Sequence, residues 1–339
     1  MIMKFFGLFL KLRYKVEVKG LKEIEKRGCE GVLFLPNHPA LIDPIIISTL
    51  TFDKFRSRPV ADHQQATRKG FKKIIGITKP ITIPDPKKAG LKGREVIIDA
   101  LETSVSELKK GNNMLVYPAG KMTFTGYEEI GGNCGVEYIV KRVPNARVVL
   151  VRTKGLWGSV FSRAYGKAPD VVSFLPTLFK ALILNLIFFI PKRKVSVEFY
   201  EPTDFPKNGS RIEINRYLEN YYENAFCPNT TYPYYFFQGQ KPIVKPEPDY
   251  TEIEKTYDNI SEEIKITVLN KLREFALTDK EDLEGNYDIS KDLGIDSLSM
   301  ILFLQWLDKE FGFNNDYDLD DIKTVNDCLL VASGNPDSK

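Results

Sequence analysis

Pro242, Pro246 and Pro248 fall within residues 238 to 251, among charged residues and Gly239, and this break limits what can fold together. Proline donates no backbone hydrogen bond and stiffens an extended chain, so the stretch reads as a linker between two units. Charge divides at the same place. Thr251 to Lys339 holds 9 Lys+Arg and 21 Asp+Glu, a net of −12, whereas Met1 to Tyr250 holds 39 and 24, a net of +15. A basic body and an acidic tail either serve different partners or attract each other, unless both charge sets merely keep the chain soluble. At 339 residues there is room for two units. The expected division is residues 1–237, a linker over 238–255, and 256–339.

The body alternates short apolar runs with helical periodicity. Strands are expected at Gly31 to Pro36, Arg58 to Ala61, Asn113 to Tyr117, Ala146 to Arg152 and Lys194 to Phe199. Arg94 to Lys110 repeats apolar residues at helical spacing (Val96, Ile97, Ala100, Leu101, Val105, Leu108). Such interleaving implies an α/β domain with one main mixed sheet flanked by helices. Past the linker the pattern is all-helical: Asn259 to Phe275, Leu298 to Phe311, Leu319 to Ile322 and Val325 to Val331 make a four-helix bundle of domain size. The aromatic stretch from Tyr221 to Phe237 has no role assigned by its pattern.

Cys29, Cys134, Cys227 and Cys328 are scattered without metal or redox spacing, which suits a reduced, cytosolic chain with no metal. Met1 to Lys15 mixes Leu and Phe with Lys and Arg and has no small-residue cleavage site. It fits a helix lying in a membrane interface, or one packed on its own domain. Val171 to Ile190 is long enough to span a bilayer, but Pro176, Lys180 and Asn185 interrupt it and Lys192-Arg193-Lys194 follows. The better reading is a buried or interface-embedded segment near anionic headgroups.

Asn37-His38-Pro39-Ala40-Leu41-Ile42-Asp43-Pro44 holds one of only two histidines. A histidine acting as general base needs a group that fixes its tautomer, and Asp43 is the candidate. In a regular helix, residues five apart diverge by about 140°. The pair therefore meets only if the backbone bends, which Pro39 and Pro44 favour. A turn whose His and Asp cap a helix explains the same residues equally well. The second histidine, His63, closes an expected strand and could line the same cleft, although a structural role is more common for such a residue.

Leu115 to Gly126 reads as a strand, a Tyr117-Pro118-Ala119-Gly120 turn, then Lys121 and Thr123. Such turns can aim backbone N–H groups and a lysine at a phosphate or an oxyanion. Together, His38-x4-Asp43 and Tyr117-Pro118-Ala119-Gly120 resemble the blocks of PlsC-like glycerolipid acyltransferases. Tyr117 to Gly126 is most similar to the acyltransferase part of bacterial 2-acylglycerophosphoethanolamine acyltransferase. The resemblance spans roughly residues 25 to 200. It implies His38 as the base and Asp43 as its orienting partner. It further implies an acceptor site drawn from Pro118, Gly120, Lys121 and Thr123, with Gly120 helping to hold the oxyanion. Ala119 stands where that family has Glu, and Lys121 where it has Arg. The middle block, normally ending in Asp-Arg, reads Ile81-Thr82-Ile83-Pro84-Asp85-Pro86-Lys87-Lys88. Lys87, Lys88 or Lys121 could replace the missing phosphate-gripping Arg as point charges, but not as a fork.

In the acidic unit, Asp292-Leu293-Gly294-Ile295-Asp296-Ser297-Leu298 precedes an apolar helix. An Asp-Ser helix cap explains it simply. The motif also resembles that of acyl carrier proteins, as do the bundle's size, acidity and short closing helices. That resemblance implies a covalent 4′-phosphopantetheine on Ser297. Met300, Phe303, Leu304 and Leu307 would form the core face of the helix, leaving Leu298, Ile301 and Leu302 on a second apolar face suited to docking.

The combined expectation is an acyltransferase fused to its own carrier, working at the cytoplasmic face of a membrane. Expected partners are a membrane lipid acceptor and the anionic membrane surface. A synthase or acyl-ACP synthetase would load the chain, a phosphopantetheinyl transferase would install the arm, and no nucleic acid is involved. A carrier and membrane scaffold with a weakened transferase domain is an alternative. So is an enzyme making an aminolipid or pigment ester.

Overall fold

The computed structural model describes residues 2–62, 76–83, 86–164, 169, 176, 179, 183, 192–223, 230–231, 243–244, 260–277, 282–312 and 322–333. His63 and nearly all of the 171–190 stretch and of the 238–255 linker lie outside them. Among the described residues no helix is long and apolar enough to cross a membrane.

Seven strands form one mixed sheet: β1 (Tyr14–Lys19), β2 (Val32–Pro36), β3 (Arg58–Asp62), β4 (Ile81–Ile83), β5 (Met114–Leu115), β6 (Arg147–Lys154) and β7 (Arg193–Tyr200). Their spatial order is β1-β7-β6-β2-β5-β3-β4, and only the β6–β7 pairing is antiparallel. Central β2 is buried at every position because both faces of the sheet are covered. Leu33 and Leu35 join Met114, Val148 and Leu150 beneath three helices: α4 (Pro86–Lys109), α5 (Gly135–Arg142) and α6 (Arg211–Glu223). Val32 and Phe34 point the other way, onto Ile45, Ile46 and Phe55 of α3 (Asp43–Phe55). The Phe34 and Phe55 rings meet edge to face at 5.0 Å. Truncating any of these buried side chains to Ala would cost about 2–5 kcal/mol.

Two strands depart from the expected set. β1 begins where the N-terminal helix α1 (Ile2–Arg13) ends, and β4 lies at the far edge of the sheet. Among the described residues each pairs on one side only, and neither carries the continuous apolar run of an inner strand. The helix expected from Arg94 starts earlier, at Pro86, and takes in Lys87 and Lys88. The aromatic stretch begins on α6. There Tyr222 is fully buried and its hydroxyl donates to the Leu35 carbonyl at 2.5 Å.

The C-terminal unit has its own core, including Val268, Leu272, Leu293, Phe303, Leu307, Val325 and Cys328. Its described helices are α7 (Glu262–Phe275), α8 (Ser297–Phe311) and α9 (Val325–Ser333). The short helix expected at Leu319 to Ile322 falls on residues outside the description, apart from Ile322, which is not helical. Three of the four expected helices are therefore described.

Candidate active site

Parallel neighbours β2 and β5 end side by side, so residues after their C-terminal ends converge. In α/β sheets this edge is where ligands bind. Asn37 follows β2 and continues its ladder with its side chain, accepting from Thr153 N–H at 2.7 Å and donating to the Thr153 carbonyl at 3.1 Å. His38 comes next and turns out of the sheet. The chain then bends through Pro39, and the Asp43 N–H donates to the Ala40 carbonyl at 3.1 Å. This bend brings His38 Nδ1 to 2.9 Å from Asp43 Oδ2.

Asp43 is completely buried and is the first residue of α3, which has no side-chain cap bond at its start. The helix-capping explanation is thereby set aside. The carboxylate instead accepts the Ala40 N–H at 3.0 Å and the Tyr117 hydroxyl at 2.7 Å. As an acceptor it takes a proton donated by His38 Nδ1, which leaves Nε2 to accept one. Burial, then the Asp43 charge, keeps the Tyr117 hydroxyl protonated far above its ordinary range. Its ring lies 4.5 Å from the imidazole, centroid to centroid.

The His38 backbone is held on both sides by the stretch that follows Tyr117. Its N–H donates to Glu128 Oε2 at 2.9 Å, and its carbonyl accepts from the Thr123 N–H at 3.1 Å. Glu128 is buried, and its other oxygen has no hydrogen-bond partner among the described residues. Burial pushes its carboxyl up to about 8, opposed by the His38 N–H and reinforced by Asp43. Near neutral pH Glu128 is therefore mainly protonated.

The expected acceptor residues fare differently. Pro118 is buried, and its carbonyl accepts from the Asn133 side chain at 3.3 Å. The Gly120 N–H is turned back onto the Tyr117 carbonyl at 3.0 Å, which spends the donor expected for an oxyanion. The Thr123 hydroxyl donates to the Tyr127 carbonyl and accepts the Gly126 N–H at 3.2 Å, so it shapes the turn. Lys121 is exposed at the same turn. Lys87 and Lys88 fall in the first turn of α4, and their side chains lie outside the description. Ala119, where the resemblance expects Glu, packs into the sheet core. Reading the sequence missed Tyr117 and Glu128 as site residues. Tyr117 had a signal, its place at the end of a strand beside the Pro-Xaa-Gly turn. Glu128, one of two adjacent glutamates in a glycine-rich stretch, had none.

Ser297 opens α8. Asp296 caps that helix, its carboxylate accepting the Ser299 N–H at 2.7 Å. A serine at this point sits where helix N–H groups favour a phosphodiester, so its surroundings suit a phosphopantetheine arm. The side chain of Ser297 lies outside the description. Among the described residues no cluster of His, Cys, Asp and Glu could hold a metal ion.

No protein-family profile matches the chain. Among solved structures, the chain is similar to the 1-acyl-sn-glycerophosphate (LPA) acyltransferase PlsC from Thermotoga maritima. The two share 20% identity at a TM-score of 0.45, over 66% of this chain and 76% of that one.

Proposed function

We propose that this protein transfers a fatty acyl group from an acyl carrier thioester to a lysophospholipid or related lipid acceptor, in membrane lipid synthesis or remodelling. The observation that carries the reading is the 2.9 Å contact between His38 and a fully buried Asp43, itself braced by Tyr117 and Ala40. A buried carboxylate with three donors is costly to build, and its effect is to orient one imidazole.

His38 Nε2 takes the proton from the acceptor hydroxyl or amine. That oxygen or nitrogen forms the new bond to the thioester carbonyl carbon, the carbon–sulfur bond breaks, and the imidazolium returns its proton to the departing sulfur. Asp43 holds the ring in the required tautomer and offsets the positive charge it gains. Tyr117 and the Ala40 N–H keep Asp43 fixed throughout. Glu128 and Thr123 hold the His38 backbone in place.

A phosphopantetheine arm on Ser297 would supply the thiol that carries the acyl chain. A position at a membrane surface is supported by α1, where Leu8 and Leu12 are 63% and 66% exposed one turn apart, beside Lys11 and Arg13. Lys121, Lys87 and Lys88 remain the candidates for holding an acceptor phosphate.

The test uses full-length protein loaded with a radiolabelled acyl chain and mixed with vesicles containing a panel of lyso-lipids. Label moving into a diacyl lipid with wild type, and not with His38→Ala, is the expected result. Equal transfer by the two proteins would overturn the reading.

A further inference from the structure

The segment of the C-terminal unit just before Ser297 lies against the α/β unit. Ser290 Oγ accepts the Gly132 N–H at 2.7 Å. The Gly294 carbonyl accepts from Arg211 Nη1 at 3.3 Å, and Asp296 pairs with the same guanidinium at 3.5 Å. Ile212 packs beside Gly294, and Cys134 lies close enough to Asp296 that burial first, and then the Asp296 charge, push its thiol up to about 12. Helix α8 lies against α4. Ile301, on the second apolar face of α8, is buried although it does not belong to the bundle's own core.

The receiving surface is braced by bonds within its own unit. Glu219 accepts the Ile130 and Gly131 N–H groups at 2.6 and 2.9 Å. Asn215 donates to the Gly131 and Asn133 carbonyls at 2.6 and 2.9 Å. Arg211 is itself held by Glu137 at 2.9 Å. All of these side chains except Glu137 project from α6. The approach also depends on missing side chains. A Cβ on Gly132 would stand 2.5 Å from the Ile295 carbonyl oxygen, and one on Gly131 would stand 2.2 Å from Ser290 Oγ.

The same stretch of chain reaches the active site. Asn133 donates to the Pro118 and Ala119 carbonyls, and Glu128, five residues earlier, holds the His38 N–H. One wall of the site and the seat of the C-terminal unit are thus two ends of residues 118–134.

We infer that Gly131, Gly132, Cys134 and Arg211 form a docking seat for the chain's own carrier unit. Through it, an acyl group on Ser297 is delivered in cis to His38 of the same molecule. This rests on the transfer activity proposed above, but the seat has a readout of its own.

The first measurement is amide hydrogen exchange at Gly132 in the full-length protein without any loading. Ser290→Trp puts bulk against the glycines from the carrier side, and Arg211→Glu reverses the charge facing Asp296. Exchange at Gly132 at least about tenfold faster in both variants is expected, since each releases a bonded N–H to solvent. Exchange in wild type as fast as in both variants would overturn the docking.

The second measurement mixes acyl-loaded His38→Ala with Ser297→Ala, each at about 1 μM. Tethering gives an effective concentration in the millimolar range, so the mixture should transfer at below about one hundredth of the wild-type rate. Recovery close to the wild-type rate would overturn delivery in cis. If wild type transfers to no lyso-lipid, the activity reading fails, and the Gly132 exchange still decides the docking.

Discussion

His38 and Ser297 are positioned in opposite ways. Ser297 depends on its immediate neighbours: Asp296 caps α8, and Ser297 is the next residue in the chain. His38 depends on residues far away. Asp43 lies five positions on, while Tyr117, Thr123 and Glu128 are separated from it by about 80 to 90 residues of chain. A site of the first kind travels with its motif. A site of the second kind exists only once the sheet has formed and the ends of β2 and β5 lie together. A short motif therefore reports the setting of Ser297 almost completely, but only half of the surroundings of His38.

The two kinds of positioning separate most sharply in Ser297→Ala. It should abolish the phosphopantetheine mass increment in intact mass spectra and all transfer of a self-carried chain. It should leave transfer from a soluble acyl thioester intact, because the distant histidine site does not need the motif. His38→Ala should keep the mass increment yet cut transfer from either donor by about 10²–10⁴-fold in a protein that still folds. A His38→Ala protein that still acylates lipid would remove the base from the mechanism.

A smaller effect is expected at Glu128, and it can be followed by pH. In the folded protein its carboxyl holds a proton up to about 8, whereas the ordinary carboxyl value is 4.5. Between those limits unfolding releases a proton, so stability is greatest at the low end and falls as pH rises through the folded value. Across that window the loss is on the order of a few kcal/mol, at about 1.4 kcal/mol per pH unit. Glu128→Gln, which cannot ionise, should flatten this slope in urea unfolding measured from pH 5 to pH 8. Equal slopes in the two proteins would mean Glu128 is ionised throughout. The smallest effect is Tyr117→Phe. It removes one donor from a carboxylate that keeps two others, so we expect about a tenfold fall in transfer rate, the worth of a single such bond at about 1–1.5 kcal/mol.

Legibility followed the range of the physical cause. β2, β6 and β7 were readable because inner strands bury both faces and show continuous or alternating apolar runs. β1 and β4 were not: β4 is only three residues long, and the alternation of β1, itself a strand signal, follows directly on the apolar and basic run of α1 and was passed over. His38 and Asp43 stood out through their turn-forming prolines. Glu128 did not, because its importance comes from burial and from the His38 backbone, and neither leaves a mark in its neighbours. Gly120 and Thr123 were read as donors to a substrate, yet their polar groups close their own turn. Spacing shows which residues can face a ligand, not which have already been taken by the backbone.

Gly131 and Gly132 also bear on how such molecules could be recognised elsewhere. If two glycines must stand bare for a helical unit to settle on an α/β unit, then the pair, the asparagine one position later and an arginine opening a helix some 80 residues on form a fingerprint that can be sought in other fused chains. Chains that keep the histidine block but carry a bulky residue at either glycine should have lost this way of seating a bundle, even where a serine motif survives downstream.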